Sequence, residues 1–124
     1  IVIVRGLPGS GKSTFAEAMS STIMYAAHVE ADMFFETEKG YQFDASRLAI
    51  AHEWCLKKTE TLLLEQRVVF VSNTFSRRWE FEPYIQLAAK HGAPCHVLTM
   101  NGNHRNVHGV PDHVIERMRE RWES

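Results

Sequence analysis

Near the start of the chain, Gly6-Leu7-Pro8-Gly9-Ser10-Gly11-Lys12-Ser13-Thr14 has the residue types and spacing needed to hold phosphate. Glycines at the turning points admit positive φ, so successive backbone N–H groups can point at one anion. A lysine directly after the last glycine can bridge the β and γ phosphates, and a hydroxyl one residue later can bind magnesium. The spacing predicts a nucleoside triphosphate site that uses ATP and Mg²⁺. Its binding residues are Gly9, Ser10, Gly11, Lys12, Ser13 and Thr14, with Ser13 as the metal ligand.

Phosphoryl transfer needs little covalent help from protein. It needs a charge clamp, a metal ligand and a group that orients the attacking oxygen. Lys12 and Ser13 supply the first two. Asp32 follows the short strand His28-Val29-Glu30, at whose carboxyl end a carboxylate could take the proton of an attacking hydroxyl. The alternative is that Asp32 caps the turn Met33 to Glu36. Asp44 is a second carboxylate, but it directly precedes a long helical pattern, where capping is the default. The apolar run before Ser72-Asn73-Thr74 ends without the metal-holding Asp of many phosphate-loop ATPases. Asn73 and Ser72 can hydrogen-bond metal-bound water but cannot polarise it, which favours a kinase over a hydrolase; the competing reading is that Asn73 and Thr74 satisfy turn and helix-start backbone.

Segment 99–110, rich in Gly and Asn, is too poor in helix formers to be a stable helix and is the candidate lid. Within it, Arg105 and His108 are the groups that could close over the triphosphate, and the arginine's fixed fork of donors suits the role. His104, His108 and His113 do not make a transition-metal set, because no Cys or carboxylate completes one. Arg77 and Arg78 stand just before a helix start, where the dipole disfavours cations; they read as a solvated surface pair, the alternative being an anion nearby that compensates them. His52, Cys55 and Cys95 read as core residues.

The elements that must position these groups are legible as alternating patterns. Apolar runs at 1–4, 68–71 and 94–98, with a shorter one at 28–30, read as buried strands. Between them, 45–65 and 78–91 carry apolar residues at helical spacing. Pro111, at a first helical position, opens a last helix whose stripe is Val114, Ile115, Met118 and Trp122. The expected fold is α/β, a P-loop NTPase with a parallel sheet of about four or five strands and helices on both faces.

A chain of 124 residues makes one domain, 1–124, that buries roughly two-thirds of its unfolded surface and leaves no room for a separate acceptor domain. Fourteen Lys and Arg against fifteen Asp and Glu give a formal charge of −1, which argues against holding nucleic acid by bulk electrostatics and leaves a short, local contact open. No apolar run reaches membrane-spanning length and no signal peptide precedes the first strand, so a cytoplasmic protein is expected.

Over nearly the whole chain the residues resemble the polynucleotide 5′-hydroxyl kinases of the T-even phage type and related kinase-like domains of phages and of eukaryotic ubiquitin-ligase-binding proteins. The resemblance is carried by the phosphate loop, by Asp32 and by Gly40-Tyr41-Gln42-Phe43-Asp44 with Ala51-His52. It continues through Asn73-Thr74, Trp79-Glu80, Pro83-Tyr84, and Arg105-Asn106-Val107-His108-Gly109-Val110-Pro111 leading into Ile115-Glu116-Arg117-Met118. It implies that Asp32 is the general base on the acceptor hydroxyl and that Arg105 is the lid arginine on the donor phosphates. Two positions depart from the phage pattern. Phe35 stands where those enzymes carry an arginine for the acceptor's 3′ phosphate, and Asn73 stands where they carry an acidic residue. The implied activity is transfer of the γ phosphate of ATP to a polynucleotide 5′-hydroxyl, of RNA or DNA. A small-molecule kinase with an apolar acceptor pocket of Phe34, Phe35 and Tyr41, and a nucleotide-binding module without turnover, stand as alternatives.

Overall fold

In the apolar runs at 1–4 and 68–71 and in the strand before Asp32, successive residues face opposite sides of a sheet and both sides are covered, whereas the run at 94–98, expected to be buried, forms an edge strand exposed throughout His96–Thr99. Ile1, Ile3, Val29, Val69 and Val71 belong to one core cluster, and Val4, Ala26 and Phe70 to the other. That is the burial expected of parallel strands in which every second side chain changes face. The computed structural model describes residues 1–102 and 109–124. Its main sheet has four parallel strands, β1 (Val2–Arg5), β2 (Ala26–Val29), β5 (Val68–Asn73) and β6 (His96–Thr99), in the order β2-β5-β1-β6. A two-stranded antiparallel ribbon, β3 (Glu36–Thr37) and β4 (Gly40–Tyr41), stands apart from it.

Helix α1 (Lys12–Thr22) lies on the face of Val4 and Phe70, burying Ala16 with Phe15 and Met19 alongside. Helices α2 (Leu48–Leu64) and α3 (Arg78–Lys90) cover the other face with Ala51, Cys55 and Leu62 and with Phe81, Tyr84, Leu87 and Ala88. Helix α4 (Asp112–Arg121) turns its half-buried Val114, Ile115 and Met118 inward. Helices therefore occupy both faces, and the strand count falls within the expected range.

Several boundaries shift. The second strand begins at Ala26, so Glu30 lies just beyond its end. Pro111 precedes α4 as its cap residue, not as its first helical residue. His52 is exposed, because the inward stripe of α2 runs Ala51, Cys55, Thr59 and Leu62 and leaves the next position turned outward. Among the described residues, no helix is long and apolar enough to cross a membrane.

A buried arginine joins the ends of the chain to the sheet. Arg5, at the end of β1, is 2% exposed. It donates from Nε and Nη2 to the Phe75 carbonyl at 3.0 and 2.7 Å, with a further bond to the Ser76 carbonyl at 3.2 Å. Its guanidinium sits 4.1 Å from the Trp122 ring centroid and 4.7 Å from that of Phe81. Phe75 itself holds φ 48°, a costly value for a bulky residue, and is kept there by edge-on packing against Phe81 and Tyr84.

Candidate active site

The loop between β1 and α1 is shaped for an anion. Gly9 and Gly11 adopt φ 84° and 90°, in the region that glycine enters without strain. Gly6 is needed for space: a Cβ there would come 2.2 Å from Ser10 Oγ and 3.0 Å from the Met100 carbonyl. Helix α1 opens at Lys12 with no side-chain cap and no acidic residue in its first turn. Its first backbone N–H groups therefore lack both of the partners that usually neutralise a helix start, which leaves a site for negative charge.

Lys12 is only 9% exposed, and among the described residues its ammonium has one hydrogen bond, a long 3.5 Å contact to the Leu7 carbonyl. Burial lowers its pKa, against the opposing pull of the Glu30 and Asp32 charges, which places both carboxylates in its neighbourhood. A buried, poorly satisfied cation at an uncapped helix start is costly unless an anion completes it, and a triphosphate fits that requirement. Ser10 Oγ, buried and without a hydrogen-bond partner among the described residues, is a second unsatisfied group in the same loop. Thr14 is exposed in the first turn of α1.

Ser13 is not alone. Its hydroxyl donates to Glu30 Oε2 at 2.7 Å, and Ser72 donates to the same oxygen at 2.9 Å. His28 Nε2 lies 2.7 Å from Ser72 Oγ and 3.5 Å from Glu30 Oε2. Burial opposes ionisation of Glu30, but hydrogen bonds from His28, Ser13 and Ser72 overcome it and bring its pKa to about 2. Ser13 keeps its oxygen lone pairs while donating its proton, so it can still bind a cation. Hydroxyl, carboxylate and phosphate oxygens suit magnesium, which retains several waters. Among the described residues no group of three or more His, Cys, Asp or Glu could hold a metal, so the phosphates themselves would supply much of the coordination.

Asp32 lies in a short 3-10 helix, Ala31–Phe35, beyond the end of β2, and the cap position there is Glu30. Tyr41, carried by the β3-β4 ribbon, donates its hydroxyl to Asp32 Oδ1 at 2.9 Å. Phe35 is 3% exposed and packs against Tyr41 and Phe43, so of the three residues considered for an apolar acceptor pocket, Phe34, Phe35 and Tyr41, it belongs to the core while Tyr41 stays half exposed. Phe34 is likewise covered, by Trp54 and by the guanidinium of Arg47 at 4.8 Å.

Other sequence candidates fall elsewhere. Asp44 caps the turn before α2, accepting from Ser46 N at 3.0 Å and Ser46 Oγ at 2.7 Å. Asn73 points away from Ser13. Its Oδ1 accepts the Ala31 N–H at 2.8 Å and its amide reaches Cys55 Sγ, so the expected contact with metal-bound water gives way to a structural clip. Arg77 pairs with Glu123, and Arg78 donates to the Ser124 carbonyl. Arg105 and His108, with most of the 99–110 lid, lie outside the described residues.

Glu30 is the residue of this cluster that the linear reading missed. On the sheet, Ala26, His28 and Glu30 share a face at period two, as do Phe70 and Ser72, and that is the face on which α1 carries Ser13. The signal was present as polar residues on one strand face, but it needed the pairing of β2 with β5 to become a site.

Comparison with known proteins agrees with this architecture. The family model described as AAA domain matches residues 1–124. NEDD4-binding protein 2 of Homo sapiens is 32% identical over 136 residues, which covers 99% of this chain and 8% of that protein. An uncharacterised protein of Pasteurella multocida (strain Pm70) is 26% identical over 137 residues, covering 95% of this chain and 73% of that one. Among solved structures, a chain of the Pnkp1/Rnl/Hen1 RNA repair complex superposes with TM-score 0.66 at 19% identity over 94% of this chain and 35% of that one. A gluconokinase from Sinorhizobium meliloti 1021 superposes with TM-score 0.60 at 19% identity, covering 99% and 74%. At these identities the structural matches show the fold, that of P-loop kinases.

Proposed function

The chain belongs to the AAA domain family, with a P-loop kinase-like fold, and from this premise we propose that it transfers the γ phosphate of ATP to the 5′-hydroxyl of a polynucleotide. The observation that carries the kinase reading is Lys12, a buried ammonium that among the described residues makes one long hydrogen bond, at the start of a helix without a side-chain cap and under the pull of the Asp32 charge.

Lys12 and the N–H groups that open α1 bind and orient the triphosphate. Magnesium bound at Ser13 would neutralise phosphate charge. Asp32, held by Tyr41, accepts the proton of the acceptor hydroxyl as its oxygen bonds to the γ phosphorus and the bond to the β-phosphate oxygen breaks, releasing ADP. Arg105 and His108 would close over the donor phosphates.

Two observations favour a polynucleotide over a small metabolite. Phe35, one of the residues expected to line an apolar pocket for a small acceptor, is itself buried, with its ring against Tyr41 and Phe43. Tyr41 and Phe43, 51% and 53% exposed, present ring surface beside Asp32 on which a base can stack. The RNA repair complex among the structural neighbours is consistent with this acceptor class.

The test is transfer of labelled γ phosphate from ATP to 5′-hydroxyl RNA and DNA oligonucleotides, with gluconate and related polyols as a parallel arm. Transfer to an oligonucleotide that falls roughly 10²- to 10⁴-fold in Asp32→Asn is expected. Transfer confined to the polyols would replace the acceptor, and nucleotide binding without transfer to any acceptor would leave a binding module.

A further inference from the structure

We infer that Glu30 is the positioning carboxylate of the metal site: it orients the Ser13 hydroxyl toward the cation and accepts a hydrogen bond from metal-bound water, taking over from β2 the role that β5, ending in Ser72-Asn73, does not fill. The inference rests on the triphosphate reading of the loop and extends it to a residue outside the loop.

Three features of the geometry converge. First, the Ser13 hydroxyl donates to Glu30 at 2.7 Å. A hydroxyl whose proton is committed to a carboxylate turns its lone pairs away from that carboxylate and becomes a stronger oxygen donor, which is how outer partners tune a metal ligand. Second, the contacts from Ser13, Ser72 and His28 all fall on Oε2. The other carboxylate oxygen, Oε1, takes no part in them and is the acceptor for a metal-bound water. Third, the carboxylate is fixed before any ligand arrives. Its side chain is 15% exposed, and Ser72, itself 2.7 Å from His28, holds it from the neighbouring strand. Asn73, the other polar residue at the end of β5, is spent on Ala31 and Cys55.

A carboxylate in this place has opposite effects on nucleotide with and without metal. It repels the bare triphosphate and attracts the magnesium complex. Removing its charge should therefore leave metal-free nucleotide affinity unchanged or raised, and should shrink the gain that the metal supplies. A purely structural residue would move both affinities together or neither.

The experiment is titration of ATP into the purified chain, with EDTA and with Mg²⁺, for wild type, Glu30→Gln and Glu30→Ala. Mn²⁺ binding to the nucleotide complex is followed in parallel by electron paramagnetic resonance, and melting curves check the fold. The expected result is a metal-dependent gain reduced roughly 10- to 100-fold in both variants, with metal-free affinity at or above wild type. A gain within about twofold of wild type, or an equal fall in both affinities, would overturn the assignment. Wild type that binds no nucleotide in either condition would overturn the kinase reading itself, and this inference with it.

Discussion

Asn73→Ala separates the two roles that its position allows. The side chain is 7% exposed, and its Oδ1 is the hydrogen-bond partner of the Ala31 N–H at 2.8 Å. Truncation leaves that buried N–H without an acceptor, at a cost of about 1–3 kcal/mol, and the 3.6 Å contact to Cys55 Sγ adds little. Taking about 2 kcal/mol and an unfolding entropy of about 0.26 kcal/mol/K for a chain of this size, the melting temperature should fall by about 8 °C. Ala31 directly precedes Asp32, so the same change should loosen this proposed base while leaving the phosphate loop intact. Turnover should fall while the affinity for ATP with magnesium stays within about threefold of wild type. Differential scanning calorimetry gives the first number and nucleotide titration the second. A variant that melts within about 2 °C of wild type yet loses its magnesium-dependent affinity would refute the clip and restore Asn73 to the metal.

The anion site and the base each yield a further expectation. Lys12→Met removes a buried cation that makes one long hydrogen bond among the described residues, so nucleotide affinity should drop roughly 10- to 100-fold while the urea midpoint stays at or above wild type. A lowered midpoint would mean that Lys12 is already satisfied in the folded chain. Tyr41 should titrate at about 12, raised by desolvation of its hydroxyl and by its hydrogen bond to Asp32. Because the folded value exceeds the ordinary value of about 10, this contribution to stability is complete below about pH 10 and is lost as pH rises toward 12. Tyrosinate absorbance, with Tyr41→Phe to assign the transition and Asp32→Asn to lower it, checks the pairing. A Tyr41 transition near 10 in wild type would break it.

What could be read without the fold is what lies contiguously in the chain. The phosphate loop carries its chemistry in consecutive residues, and β1 and β5 announce themselves because burial on both faces demands unbroken apolar runs. Asp44 was legible as a cap because a cap is a local bond, here to Ser46 two residues on. Arg5 was not, since nothing beside it in sequence reveals that Phe75, Ser76 and Trp122 will close around its guanidinium. The hold of Tyr41 on Asp32 depends on a four-residue ribbon whose strands are too short for periodicity to register.

Glu30 marks the limit most clearly, because register alone decides its role. The pairing of Val29 with Val71 carries Glu30 alongside Ser72 at the strand ends, on the face where α1 presents Ser13. A slip of one residue in β2 would turn His28 and Glu30 toward the opposite face, among Ile3, Val69 and Val71. An ionised carboxylate is not tolerated in that core, so the apolar residues Ala27 and Val29 that fix the register also fix where the carboxylate must emerge. The position of the charge beside Ser13 is thus a consequence of hydrophobic packing on the far side of the sheet. A substitution there, such as Val29→Thr, should weaken the metal-dependent gain in nucleotide affinity without touching any group that faces the nucleotide.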